Sequence, residues 1–138
     1  MAGYSGTPLA KKLGIKPGHV VALLNAPEGF AATIDGLLKG VDLRNAAGRG
    51  QTNDVIVFFV VRSRDLADRF AALKDRLAVA GGLWVAWPER ASGVATDVTE
   101  TVVRETGLAG GLVDNKVCAI DDTWSGLRFV RRLNDRGR

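Results

Sequence analysis

The stretch DVIVFFVVR, from Asp54 to Arg62, constrains the fold of this chain more than any other. The run Val55 to Val61 is wholly β-branched or aromatic, with no Gly or Pro, and predicts a strand. A half-buried strand alternates apolar and polar residues. An unbroken apolar run has no side to show to water, so it must be covered on both faces. Sheets covered on both faces are mostly parallel, and parallel neighbours need long crossovers, usually helices.

The rest of the chain supplies those crossovers. Val20 to Leu24 in HVVALLNAP is a second continuous run, LWVAWP from Leu83 to Pro88 a third, and Val117 to Ile120 a fourth. Phe30, Ile34, Leu37 and Leu38 follow helical spacing up to Gly40. Ser63 suits a helix cap, and Leu66, Phe70, Leu73 and Leu77 then recur at helical steps before Gly81 and Gly82. Asp97 with Glu100 resembles a capping box for a helix whose stripe is Val98 and Val102. That helix is expected to stop near Gly107, leaving GLAGGLVDN as a flexible connection. At the other end of the chain, Thr7 as cap, Pro8 as first residue and Gly14 as terminator predict a short helix with Leu9 and Leu13 on its sticky face. Val41 to Arg44 reads either as a short edge strand or as loop, and residues 45–53 read as loop.

Alternation of strand and helix predicts the α/β class, as a single Rossmann-like three-layer domain with right-handed crossovers. The sheet is expected to be mostly parallel and closed by a C-terminal antiparallel hairpin. Counting the strand at Val41 as the second, the expected order across the sheet is second, first, third, fourth, sixth, fifth. Residues 1–138 form one domain on this reading, with 1–6 and 134–138 frayed.

The hairpin is read from KVCAIDDTWSGLRFVRR. Asp121-Asp122-Thr123 is turn-forming, and the second strand, about Ser125 to Arg131, runs antiparallel at or near the sheet edge. Cys118 is then a buried packing residue with a raised pKa rather than a nucleophile. Trp124 is a packing anchor. The arginines from Arg128 to Arg138 read as a solvated strand face and a frayed terminus.

Several chemistries drop out. One cysteine and one histidine, Cys118 and His19, make neither a disulfide nor a Cys/His metal cluster. A Ser-His-Asp or Cys-His arrangement would have to use His19, at the start of the first strand. No P-loop or G-x-G-x-x-G follows a strand, and no carboxylate pair has catalytic spacing. No apolar run reaches a membrane span, and residues 1–18 hold no signal-peptide core, so a cytoplasmic location is expected. A formal net charge of +4 is a weak argument for nucleic acid.

Open α/β sheets bind ligands at the carboxyl ends of their strands. That edge collects Asn25, Arg62, Ser63, Trp87, Asp121 and Asp122 as a candidate ligand-binding crevice, with Pro27 and Glu89 beside them. No catalytic or metal-ligating residue is assigned, and no cofactor.

Two resemblances follow. YSGTPLAKKLGIKPG, LLNAPEGF, LWVAWPER and KVCAIDDTWSGLRFV, in this order, resemble the bacterial domain-of-unknown-function family 3052 over nearly the whole chain. That family brings no activity. DVIVFFVVRSRDLADRFAALKDRLAVAGGLWVAWP is similar to the middle of a Rossmann-like methyltransferase, as is the closing hairpin. Those enzymes carry a Gly-rich loop after the first strand that lets the backbone approach the adenosyl cofactor. This chain has NAPEGF there, and it is short for their usual seven strands, so the resemblance implies the fold but not the cofactor. The expected function is a non-enzymatic cytoplasmic binding or regulatory module, with a protein or small-molecule partner. The alternatives are a small, degenerate methyltransferase-like enzyme using the same edge and, third, a nucleic-acid-binding accessory protein.

Overall fold

The computed structural model describes residues 7–34 and 39–133. Its sheet holds β1 (Val20–Leu24), β2 (Asp42–Arg44), β3 (Asn53–Phe59), β4 (Leu77–Pro88), β5 (Leu112–Ala119) and β6 (Trp124–Arg131). The order is β2-β1-β3-β4-β6-β5. Pairing is parallel from β2 through β4, and β6 lies antiparallel between β4 and β5. This is the expected order, with β5 at the edge and β6 next to it.

Both faces of the sheet are covered, as the run in β3 requires. Its side chains alternate between two cores: Ile56, Phe58 and Val60 in one, Val55, Val57 and Phe59 in the other. The first core is closed by α3 (Ser63–Asp75) and α4 (Glu100–Ala109) through Leu66, Phe70, Leu73 and Val103. The second is closed by α1 (Leu9–Lys12) and α2 (Phe30–Thr33), with Ala10, Leu13, Ile15 and Phe30. The chain runs from β1 to β2 in one direction across the sheet and from β3 to β4 in the other. Right-handed crossovers therefore place α2 on the face opposite α3 and α4. Trp84, fully buried, donates from its indole Nε1 to the Leu13 carbonyl at 3.0 Å and pins α1 to the sheet.

Local readings shift where tertiary contacts compete with them. Pro8, not Thr7, is the N-cap of α1, without a side-chain bond. α2 ends at Thr33 with Ile34 extended, short of the expected Gly40, and Leu37 and Leu38 lie outside the described residues. Leu77 opens β4 instead of continuing α3, and the glycine pair sits inside that strand. A Cβ on Gly82 would collide with the Arg128 guanidinium, which packs against the strand there. Arg128 is thus half-buried structure, and Arg131 donates to the Lys74 and Leu77 carbonyls, so these two do not form the solvated face the sequence suggests. The expected loop at 107–115 is instead the end of α4 and the start of β5.

The capping box also resolves differently. Thr99 caps α4, its Oγ1 accepting from the Val102 amide at 3.2 Å. Asp97 instead reaches across to α3. Its carboxylate accepts from the Ser63 amide at 2.7 Å and the Ser63 hydroxyl at 2.8 Å, satisfying a first-turn donor that α3 cannot satisfy itself. In α4 the buried residues are Val103 and Gly107, with Val102 half-exposed.

Candidate functional site

Asn25 follows β1 with φ 57°, the left-handed region that Asn tolerates better than most residues, and it turns the chain sharply off the strand end. Gly29, φ 81°, makes the second turn into α2. Between them Ala26 and Pro27 arch over the edge. Together with Leu23, Ala31 and Ala32, and with Leu43, Arg44 and Asn45 at the end of β2, they line a pocket of about 540 Å³. Its size lies within the range of small-molecule sites, and it sits beside the point where the strand order reverses, where open α/β sheets bind ligands.

The walls are mainly small and apolar, and Asn25, Arg44 and Asn45 supply polarity at the rim. Among the described lining residues Arg44 carries the only charge. Its guanidinium is held by Asp42, Nη2 to Oδ2 at 2.6 Å and Nε to Oδ2 at 2.8 Å. Asp42 and Arg44 are two apart on an edge strand and so share a face.

Of the six crevice residues expected from sequence, Asn25 alone lines this pocket. Arg62 is exposed at the N-cap position of α3, where its side chain makes no cap bond. Ser63 is tied to Asp97. Asp97 stays ionised to lower pH than an ordinary aspartate, first because it accepts the Ser63 amide, then the Ser63 hydroxyl. Trp87 is 6% exposed in the core beneath α3 and α4. Asp121 locks its own hairpin, Oδ1 accepting from the Thr123 and Trp124 amides, both at 2.8 Å, while Asp122 is exposed. All six lie on one edge of the sheet, but β3, β4 and β6 separate Asn25 from the two aspartates, about 19 Å at normal strand spacing.

The pocket's outer wall, at the end of β2, was harder to foresee, because three residues of edge strand carry no periodic signal. Cys118 is half-buried on β5 rather than fully buried. Burial nonetheless pushes its thiol pKa up, against the pull of Lys116 and Lys12. Among the described residues no three His, Cys, Asp or Glu gather to hold a metal, and no helix is long and apolar enough to cross a membrane.

Residues 10–133 match a family described as protein of unknown function, DUF3052. No curated protein matches the sequence. Solved structures share the fold. A SAM-dependent methyltransferase from Aquifex aeolicus is similar at TM-score 0.63 and 15% identity, over 88% of this chain and 86% of that one. Aeropyrum pernix fibrillarin, with natively bound S-adenosyl-L-methionine, is similar at 0.56 and 17%, over 88% and 73%. The magnesium protoporphyrin IX methyltransferase of Synechocystis, with bound SAH, is similar at 0.57 and 12%, over 89% and 78%.

Proposed function

We propose that this chain, which belongs to the DUF3052 family, is a non-enzymatic binding or regulatory module of the cytoplasm that takes a small ligand where β1 and β2 end. The observation that carries this reading is the pocket itself: walls of Leu23, Ala26, Pro27, Ala31, Ala32 and Leu43, with Asn25 and Asn45 to orient a neutral polar group. No acid, nucleophile or histidine joins them among the described lining residues, which is why the reading is a binder.

The adenosyl cofactor of the structural neighbours is a poor fit. Its net charge is positive, a sulfonium and an ammonium against one carboxylate, and the charge on the described lining is the cation Arg44. No described lining residue is a carboxylate that could accept a ribose diol. At the turn itself the chain places side chains, on Asn25, Ala26 and Pro27, where close approach of a cofactor needs bare backbone. The fold likeness supports a second reading, a small enzyme with its site on the same strand edge.

Titration calorimetry with S-adenosylmethionine should show no micromolar binding, and a clear micromolar affinity puts the enzyme reading first. For the binder, amide NMR with a neutral aromatic fragment, indole, should shift residues 25–32 and 43–45 and leave those near Asp121 unmoved. Ala32→Phe, which fills the pocket, should abolish the shifts. Shifts clustered elsewhere, or shifts that survive Ala32→Phe, refute the assignment.

A further inference from the structure

The two ends of the sheet differ in charge. At the carboxyl ends of the parallel strands Glu28, Asp65, Glu89, Asp97, Asp121 and Asp122 sit among Arg44, Arg62, Arg64 and Arg90. At the amino ends the pattern is different, because bases precede successive strands. Lys16 comes before β1, Lys39 before β2, Arg49 before β3 and Arg76 before β4, while Arg132 follows the antiparallel β6 to the same edge. All are exposed except Arg76, which is half-exposed.

Hydrogen bonds join these loops into one rim. The Gly18 amide donates to the Lys39 carbonyl at 3.1 Å, linking the turns that carry Lys16 and Lys39. Buried Asn53 donates from Nδ2 to the Ala47 and Arg76 carbonyls at 2.7 and 2.9 Å, tying the Arg49 loop to the end of α3. Arg131 donates to the Lys74 and Leu77 carbonyls and brings the end of β6 against the start of β4. The acids of this edge are largely engaged. Asp54 accepts the Val20 amide, Asp42 holds Arg44, and Asp114 holds Arg104; Asp75 is exposed at the end of α3. Lys74 and Arg131 are committed to backbone carbonyls.

We infer that this rim, carrying Lys16, Lys39, Arg49, Arg76 and Arg132, is a docking surface for the phosphate backbone of duplex nucleic acid. A sheet of this width spans about 24 Å along the rim, long enough to meet several phosphates in succession. Among the described rim residues the one aromatic ring is His19, whose Nδ1 accepts from the Lys16 amide at 3.1 Å; a single ring makes no stacking platform for successive bases, so the surface suits a duplex backbone and reads no sequence. It lies on the side of the sheet opposite the β1–β2 pocket and is independent of it.

The test is fluorescence anisotropy with a labelled mixed-sequence DNA duplex of about two helical turns at about 50 mM salt, repeated at higher salt. Binding should be measurable, indifferent to sequence, and lost as salt rises. The double variant Lys39→Glu/Arg49→Glu should weaken it about tenfold or more and reduce the salt slope by roughly two, one unit for each phosphate contact removed. Arg62→Glu/Arg90→Glu, at the other edge, should leave it unchanged. All sites are at the surface, and matching melting temperatures confirm that the variants fold. No binding at low salt, or binding lost only in the Arg62/Arg90 variant, overturns the inference. Equal affinity for polyglutamate would also overturn it, in favour of an acidic protein partner.

Discussion

Gly107→Ala should destabilise the protein, although helix propensity alone predicts the reverse. Gly107 lies in α4, where replacing Gly by Ala ordinarily gains about 1 kcal/mol. Here a Cβ would fall on the Phe129 ring. That ring has little room to retreat. Phe129 is fully buried, its strand is paired on both sides by β4 and β5, and its ring meets Phe70 edge-on at 5.8 Å. Phe70 in turn lies 2.5 Å from where a Cβ on Gly110 would stand, so α4 sits down on both rings through two glycines. Overpacking a core typically costs 1–3 kcal/mol, and a pinned ring argues for the upper half. Subtracting the propensity gain leaves roughly 1–2 kcal/mol net loss, about 3–10 °C in Tm for a domain of this size. Urea unfolding should show a lower midpoint at unchanged slope. In a Phe129→Leu background the same substitution should cost less, because the shared contact couples the two sites. A rise in stability on Gly107→Ala alone would refute the close packing of α4 on Phe129.

The Asp97 carboxylate has a depressed folded-state pKa, so its contribution to stability is present above the ordinary aspartate range and is lost as pH falls through the folded value; Asp97→Asn should flatten the acid limb of a Tm-against-pH curve, and an unchanged limb counts against the cross-chain cap. Because burial raises the Cys118 pKa, a thiol reagent should label the native protein more slowly than the urea-unfolded chain at neutral pH, and rapid native labelling would contradict that environment. Asp121→Ala should lower stability by about 1–2 kcal/mol through loss of its bonds to the Thr123 and Trp124 amides, with Asp121→Asn, which keeps the acceptor, losing less; equal losses would show that charge rather than the acceptor oxygen holds the turn.

The layers and the strand order follow from residue patterns along the chain. An apolar run in β3 with no polar side can only sit inside a covered sheet, and right-handed crossovers then leave few ways to thread the remaining strands. The hairpin follows in the same way, since the residues of the Asp121–Thr123 turn bond to their own neighbours. Features that join residues far apart in the chain arise from packing in three dimensions. Asp97 satisfies whichever helix start lies nearest in space, and that is α3 across 34 residues rather than its own α4. Leu77, Gly81 and Gly82 join β4 because the sheet extends past the point where helical periodicity breaks, and Arg128 fills the room that Gly82 leaves. For the candidate site, Asn25 and Pro27 were legible because the edge at which α/β strands end is fixed by chain direction. The outer wall of Leu43, Arg44 and Asn45 was not, because a three-residue edge strand gains its register from β1 and carries too few residues for a pattern of its own. The basic rim has the same origin. Its lysines and arginines are scattered singly along the sequence, and they form one surface because parallel strands all begin at the same edge.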